Sequence, residues 1–423
     1  MRTALVDRPR PGGYVRLALG ACLLLFAACS QGVKRSAYQA ELEQIGQDIW
    51  SAEHGNIDSR IGIEKAGKIA YLLYRRASLT SEDVDFKAVE KAIDRALEEV
   101  GPLEDLYLLK AKLDFTRHRF PKAREDLGKA PNAVDGALFE TIKGDLAFQQ
   151  GRYDDARNCY EALVQRHGTW DSFARLAYCT FITGDIAKAD KLYLAAQDQI
   201  TAKEMGSYAW VELQRGFLQF SRGNYEEALA HYRRAEKAYS GWWLVEDYTA
   251  EALGAEGRFK EAEAYYKKLI ARARRPELYQ ALGDLYLFSG DPESAGPWHD
   301  KALAGYRESA ERGNVHYFHH LAGFYADVRH EGPEAVRWAR KDAELRDNFL
   351  TQDSLGWALY RDNQFAGALA AIDRALSSNV QDAQIFVHAA LINLANGKTD
   401  EGKQLFLKAA QINPSYNTFH VHR

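Results

Sequence analysis

Apolar and small residues in this chain recur at spacings that predict paired helices. In one representative stretch, Leu282 and Tyr286 lie four residues apart, on one stripe of a helix. Gly290 follows, and glycine readily takes the left-handed backbone conformation that ends a helix. Ala295 and Ala302 then lie on one face of a second helix. The pattern predicts a unit made of a helix, a short glycine turn and another helix.

This unit returns with a nearly constant period. The alanine of its second helix recurs at Ala156, Ala189, Ala228, Ala262 and Ala295, in steps of 33, 39, 34 and 33 residues, and the series continues at Ala335, Ala368 and Gly402 in steps of 40, 33 and 34. A period near 34 residues is typical of a solenoid of stacked units. The two long steps predict insertions near residues 198–207 and 306–315. No useful length alternates with period two, so we expect an all-α fold without a sheet.

The repeated units resemble the tetratricopeptide repeat (TPR). The matching positions are Leu282, Gly283, Tyr286, Ala295 and Ala302, then Leu355, Gly356, Phe365, Ala368 and Ala375, and in the final copy Phe406, Ala409 and Pro414. The resemblance implies a right-handed superhelical solenoid of about nine helix-turn-helix repeats. We expect this repeat domain to cover residues 61–412, after a tether and N-terminal helix over 29–60 and before a C-terminal tail over 413–423.

The N-terminal sequence has the pattern of an export signal. Four arginines precede a 12-residue apolar run that extends from Leu17 to Ala28. This run is shorter than the roughly 20 residues that span a bilayer as a helix, and it has the size of a secretory signal. Ala27 and Ala28 directly before Cys29 resemble the bacterial lipobox, although Phe26 stands where leucine is usual. The resemblance implies a signal peptide over 1–28 and a lipid on Cys29.

The residues after the cysteine bear on the membrane of destination. Ser30 and Gln31 follow Cys29, and by resemblance to Gram-negative lipoproteins this favours the outer membrane, with the chain on the periplasmic side. Two or three acyl chains give a stable anchor, whereas one chain binds a membrane only marginally. The alternative is an ordinary signal peptide that is cleaved nearby and leaves Cys29 unmodified.

Charge limits the classes of partner, and the cysteine content limits the possible disulfides. The chain has 55 Lys and Arg against 59 Asp and Glu; without residues 1–28 these become 51 and 58, a net charge near −7. Bulk charge therefore argues against nucleic-acid binding. Cys159 and Cys179 fall on helices that are expected to be neighbours. A disulfide and two buried thiols both fit this placement.

Sequence motifs of common enzymes are absent. The chain has no G-x-x-x-x-G-K-[ST], H-E-x-x-H or G-x-S-x-G motif and no paired C-x-x-C motif. No segment outside the repeats is large enough for a catalytic domain. We therefore expect a binding protein without enzymatic activity or cofactor.

The resemblance also implies where a partner protein binds. In TPR proteins the first helix of each unit lines a concave groove, and the matching positions here are Tyr178, Phe181, Trp210, Phe217, Phe220, Phe288, Trp357 and Tyr360, with the carboxylates Asp145, Asp247, Glu251, Asp284 and Asp327. Aromatic anchors among carboxylates suit an extended or helical segment of another protein, particularly a basic one. The alternative is that some of these aromatics pack between helices.

One family mode of binding is not expected. TPR chaperone adaptors hold a C-terminal carboxylate with Lys and Asn at two groove positions. The corresponding pairs here are Thr141/Asp145, Asp247/Glu251, Gln280/Asp284 and Asp353/Trp357. Because these pairs carry no cation, we do not expect capture of an acidic C-terminus by that route.

Histidines provide a second candidate site. His316, His319 and His320 have the spacing of one helix side, and His420 and His422 alternate near the end of the chain. Neutral imidazoles at such spacings bind Zn²⁺ or Cu²⁺. The competing interpretation is solvated histidines near a loop and a frayed terminus.

These observations predict an exported, lipid-anchored, non-catalytic scaffold that binds a partner protein through its concave groove. We expect it to serve an envelope assembly for secretion, pilus formation, polysaccharide export or cell-wall synthesis. The alternative is a periplasmic accessory protein that handles a metal or cofactor through His316, His319 and His320 or the C-terminal His-x-His.

Overall fold

The computed structural model describes residues 35–55 and 62–420, and every regular element in these ranges is helical. The α-helices are α1 Ala37–His54, α2 Gly62–Thr80, α3 Asp83–Val100, α4 Glu104–Thr116, α5 Phe120–Leu127, α6 Gly136–Gln149, α7 Tyr153–His167, α8 Trp170–Ile182, α9 Ile186–Asp198, α10 Met205–Phe220, α11 Tyr225–Ala238, α12 Trp243–Ala255, α13 Phe259–Arg272, α14 Pro276–Phe288, α15 Pro292–Glu311, α16 Phe318–Gly323, α17 Gly332–Ala343, α18 Phe349–Arg361, α19 Phe365–Leu376, α20 Ala383–Ala395 and α21 Thr399–Ile412. A π-helix, Phe324–Arg329, continues α16. In the part of the chain that is described, no helix is long and apolar enough to cross a membrane. The predicted all-α class is confirmed.

Helices α2 to α21 form ten consecutive pairs, in line with the predicted count of about nine. Small residues allow the two helices of a pair to approach closely. An added Cβ on Gly216 of α10 would lie 2.2 Å from the Tyr232 ring of α11. The repeat alanines Ala228 and Ala368 are completely buried at such contacts. The period of the sequence therefore corresponds to one helix pair.

The turn between the helices of a pair follows the prediction in most repeats. Gly290 has φ +87°, in the region that favours glycine, and it ends α14 before α15 begins. The two insertions differ in form. Residues 199–204 are a loop between α9 and α10, whereas the second insertion lengthens α15 to 20 residues and adds a turn before α16.

Six helix pairs complete one superhelical turn, and the next turn rests directly on it. The N–H of Asp347 donates to the carbonyl oxygen of Gln149 at 2.9 Å, and the N–H of Gln381 donates to that of Ile182 at 2.8 Å. In both cases the partners lie six pairs apart. We call these contacts the turn-to-turn contacts. They lie at the C-terminal ends of the first helices α6 and α8, and Asn413 lies in the same way against Gly223, just after α10.

The C-terminal tail continues the turn-to-turn contacts beyond the last helix. Tyr225 bonds through its hydroxyl to the backbone oxygen of Ser415 at 3.2 Å and to the hydroxyl of Thr418 at 2.5 Å. Phe419 is 1% exposed and packs against Gly254, where an added Cβ would lie 2.4 Å from its ring. The tail is therefore docked onto the solenoid as far as residue 420.

Candidate functional site

The predicted groove residues occupy different environments on the first helices. Tyr178 and Trp210 line a cavity. Phe288 is 49% exposed. The half-buried members are Phe217, Asp284, Trp357 and Tyr360, and the buried members are Phe181, Phe220, Asp247 and Glu251. The sequence register thus places all of them on first helices but does not distinguish the surface from the interior.

The buried members cannot contact a partner in this conformation. Phe181 and Phe220 are 7% and 9% exposed, and their rings pack against rings of neighbouring helices, Phe181 against Phe217 and Phe220 against Tyr225. Asp247 and Glu251 are 8% and 3% exposed within α12. In the described conformation these four side chains are buried, so their predicted place on the groove surface finds no support.

The first helices of four consecutive pairs surround an aromatic cavity of about 400 Å³. Its lining residues are Phe115 of α4, Asp145, Phe148 and Gln149 of α6, Tyr160 of α7, Trp170, Asp171, Ala174, Arg175 and Tyr178 of α8, and Trp210 and Gln214 of α10. The ring centroids of Trp170 and Trp210 are 5.9 Å apart in an edge-to-face arrangement. This volume and this apolar lining with a few polar groups are typical of binding pockets.

A charged network lies in the wall of the aromatic cavity. Arg175 donates from Nε to Asp145 Oδ1 at 2.9 Å and from Nη1 to Asp171 Oδ2 at 3.2 Å. The hydroxyl of Tyr160 also donates to Asp145, at 2.8 Å. Burial alone would lower the pKa of Arg175, but the Asp145 carboxylate outweighs it and raises that pKa above its ordinary value. The guanidinium is therefore a fixed, charged part of the wall.

Several residues of the aromatic cavity were not among the predicted groove residues. In the family the groove is lined by the second, fifth, ninth, twelfth and thirteenth positions of each repeat. Phe148 and Gln149 occupy the twelfth and thirteenth positions on α6, so the register of the repeat contained a signal for them. Arg175 and Gln214 occupy the same register position on α8 and α10, one that the family does not assign to the groove. Only the structure shows that they line the cavity.

Trp357 belongs to a packed polar cluster. Its Nε1 donates to Asp327 at 2.8 Å, and its ring stacks on His388 with centroids 4.2 Å apart. His388 Nδ1 lies 3.0 Å from Asp353. Burial lowers the pKa of His388, but the Asp353 carboxylate outweighs it and the pKa is raised overall. Trp357 is thus held in place by Asp327 and His388.

In the structure a fourth histidine joins the three predicted ones, and the three do not have the geometry that the sequence predicts. His316 lies in the turn before α16, while His319 and His320 lie on the helix, so the three do not share one helix side as expected. His118, six pairs earlier, joins them with its ring centroid 4.6 Å from that of His316. Burial lowers the pKa of His316 to about 4 and holds the pKa of His118 and His319 well below the ordinary value.

Metal binding finds no support in the described geometry. Among residues 35–55 and 62–420, no group of three or more histidine, cysteine, aspartate or glutamate side chains is arranged to hold a metal ion. His420 Nδ1 lies 3.2 Å from the backbone oxygen of Thr418. His422 and the lipidation candidate Cys29 lie outside the described residues. Cys159 and Cys179 are free thiols.

Comparison with known families identifies the repeats. Two family patterns, both described as tetratricopeptide repeat, match this chain: one at residues 143–203 and 354–417, the other at 209–234. These segments contain α8 and most of α10 and α18, the helices that carry most of the predicted groove residues. No curated protein is significantly similar to this chain.

Solved structures with a similar fold include the human IFIT1 dimer with PPP-AAAA, with 11% identity, a TM-score of 0.45, and coverage of 88% of this chain and 94% of that one. A Rap protein complexed with competence and sporulation factor has 13% identity, a TM-score of 0.48, and coverage of 73% and 97%. Yeast Tom70 has 14% identity, a TM-score of 0.41, and coverage of 89% and 92%.

Proposed function

We propose that this chain, which belongs to the tetratricopeptide repeat proteins, is a non-catalytic scaffold that binds a partner protein through its concave face. The aromatic cavity carries this proposal. It lies between first helices, as the family's binding face does, and Tyr178 and Trp210 were predicted there from the repeat register. Aromatic side chains dominate the energetics of protein interfaces, and they act most strongly in pockets that exclude water.

We further propose that the scaffold is an exported lipoprotein on the periplasmic side of the outer membrane. The support comes from the sequence: a positive region, a 12-residue apolar run and small residues before Cys29. Its partner belongs to an envelope assembly such as a secretion, pilus, polysaccharide-export or cell-wall machine. Acyl chains on Cys29 would hold the solenoid at the membrane where such assemblies lie.

The metal-handling alternative has less support than the scaffold. Of the four clustered histidines, His320 is buried and the other three are half-buried, and within the described residues they offer no arrangement that could hold a metal ion. The C-terminal His-x-His stays a candidate, because His422 lies outside the described residues. Titration of Zn²⁺ or Cu²⁺ followed by calorimetry distinguishes this alternative, since a scaffold without a metal site gives no saturable heat.

The scaffold is tested by capture of its partner from cross-linked membranes with the full tethered chain. Trp210→Ala removes a side chain from the aromatic cavity, whereas Trp298→Ala removes an equally half-buried tryptophan from α15, away from the cavity. We expect Trp210→Ala to lose the captured partner and Trp298→Ala to retain it. Equal capture by both variants would show that the partner binds outside the aromatic cavity.

A further inference from the structure

We propose that the aromatic cavity binds an organic cation with a methylated ammonium head, the group that choline carries. This inference goes beyond the proposed function, because it concerns a small ligand and its test needs no partner protein. Two features of the cavity wall support it: the aromatic rings that surround the space, and the excess of carboxylates over guanidinium.

Six aromatic side chains from four consecutive helix pairs line the cavity. The rings of Trp170 and Trp210 are inclined by 61° to each other, with centroids 5.9 Å apart. The rings of Phe148 and Tyr178 are inclined by 48°, with centroids 5.7 Å apart. Rings at such angles can enclose a cation from several sides, and each ring attracts a cation within about 6 Å of its centroid. The volume of about 400 Å³ leaves room for the methyl groups and a short substituent.

The charged side chains of the wall leave one negative charge unmatched. Asp145 accepts from Nε of Arg175 through both carboxylate oxygens, at 2.9 and 3.1 Å, and thereby neutralises the guanidinium. Asp171 accepts from Nη1 of Arg175 at 3.2 Å, while its Oδ1 makes no hydrogen bond within the described residues. Two carboxylates against one guanidinium give the lining a net charge of −1. A cation is therefore the charge type that complements this cavity.

The groups next to the cavity do not reverse this balance. Lys112 of α4 is close enough to Arg175 for its pKa to be lowered, mainly by burial and further by the guanidinium, but it does not line the cavity. Its Nζ lies over the ring of Tyr74, 4.9 Å from the centroid. Burial raises the pKa of Tyr178, and the Asp382 carboxylate raises it further, so the hydroxyl stays neutral and Asp382 adds negative charge on this side.

The rings of the wall favour a methylated head over a primary ammonium. A primary ammonium, such as that of a lysine side chain, is compact and strongly hydrated, so its transfer into a space lined by rings is costly. Methyl groups weaken this hydration and pack against the ring faces, while the positive charge remains. The polar groups of Gln214 and Tyr178, which also line the cavity, suit a hydroxyl substituent of the ligand.

The test uses the full chain in a detergent without choline groups, with choline as the probe and saturation-transfer NMR as the measurement. Two compounds of similar shape separate the contributions of charge and methylation. In the first, a tert-butyl group replaces the trimethylammonium head and removes the charge. The second is ethanolamine, which keeps the charge on a primary ammonium. We expect saturable binding of choline and at least tenfold weaker binding of both analogues.

Phosphocholine tests the source of the head. It carries the same methylated ammonium beside a phosphate, as the head group of a lipid does. Because the lining has a net negative charge, we expect choline to bind more tightly, which assigns the site to a free cation. Tighter binding of phosphocholine would support the same methylated head and assign the site to a lipid head group.

Two variants locate the binding. Asp171→Asn removes the unmatched charge with almost no change of shape, and Trp210→Ala removes a ring. Each should weaken choline binding at least tenfold. The matched controls are Asp154→Asn, which changes an exposed carboxylate on α7, and Trp298→Ala on α15; neither residue lines the cavity, so both variants should bind choline as the wild type does. Wild-type binding by Asp171→Asn or by Trp210→Ala would overturn the inference.

Other outcomes also contradict the inference. Binding of the uncharged analogue as strong as that of choline would show that the cavity recognises shape alone. Equally strong binding of ethanolamine would replace the methylated head with a basic amine. Absence of choline binding, while Trp210→Ala still loses the captured partner, would overturn the cation site and leave the proposed function standing. Absence of both effects would overturn the two proposals together.

Discussion

The backbone N–H of Asp347 donates to the carbonyl oxygen of Gln149 at 2.9 Å, across six helix pairs of the solenoid. The two residues occupy equivalent places on successive superhelical turns. Gln149 also lines the aromatic cavity, and its side-chain oxygen accepts from Asn348 at 2.7 Å. The turn-to-turn contacts therefore fix the wall of the cavity as well as the packing of the turns.

A pair of glycine variants tests the turn-to-turn contacts. Gly151→Ala introduces a Cβ at φ +72°, 2.7 Å from the carbonyl oxygen of Asp347; Gly257→Ala introduces one at φ +77° with nothing within 4 Å. Both variants carry the left-handed backbone cost of about 1–2 kcal/mol. We expect Gly151→Ala to lose clearly more stability in urea unfolding because of the added clash. Equal losses would show that the contact contributes nothing.

The structure within each repeat could be predicted because it depends on residues of that same repeat. The glycine turn at Gly290 and the close helix crossing at Ala368 follow from residues within one repeat. The turn-to-turn contacts depend on the small rotation between successive helix pairs, which adds up over six pairs. The sequence of a single repeat does not reveal this sum. This is why the approach of His118 to His316 could not be predicted.

Overpacking of a helix crossing tests the repeat register. Ala368 on α19 is fully buried, and its carbonyl oxygen lies 3.3 Å from where a Cβ on Gly356 would be. Ala368→Leu should therefore cost about 1–3 kcal/mol. Ala370→Leu, on the exposed side of the same helix, should cost almost nothing. A thermal scan compares them, and the register is wrong if Ala368→Leu melts like the wild type.

Acid should weaken the fold through the clustered histidines. The pKa of His316 is about 4 in the folded chain because of burial, against about 6.5 unfolded. Below pH 6.5 the unfolded chain therefore binds more protons, so stability is complete above that pH and declines as the pH falls. For His316 we expect a loss of about 2 kcal/mol between pH 7 and pH 5. Glu277 opposes this loss, while Arg275 and Arg346 increase it.

Denaturant unfolding as a function of pH checks this histidine prediction. His316→Gln cannot take up a proton and should flatten the decline between pH 7 and pH 5. His54→Gln changes an exposed histidine on α1 and should leave the decline unchanged. An identical pH dependence in all three proteins would contradict the role of the cluster.

The membrane anchor is tested at Cys29, where a thiol is needed to accept a lipid. We expect Cys29→Ser to remove the lipid and to release the chain from the membrane as a soluble or uncleaved species. Incorporation of a radioactive fatty acid measures the lipid directly. Label at the wild-type level in Cys29→Ser would show that this cysteine is not the site.

The candidate site was predictable in part. The register of the repeat led to Tyr178 and Trp210, which line the aromatic cavity, and equally to Trp357, whose indole is held by Asp327 and His388. A repeat position sets the face of a helix on which a residue lies. Whether that residue has an opposing partner depends on neighbouring repeats, so sequence alone treated Trp210 and Trp357 as equivalent.

Photo-cross-linking in intact cells tests the central claim, that a partner protein binds at the concave face, most directly. A photoreactive phenylalanine analogue replaces Gln214 in the aromatic cavity or, as the control, Ala370 on an exposed helix side. We predict one discrete cross-linked product from position 214, which disappears when Trp210→Ala is added, and none from position 370. A product from position 370 alone, or one from position 214 that survives Trp210→Ala, would contradict the claim.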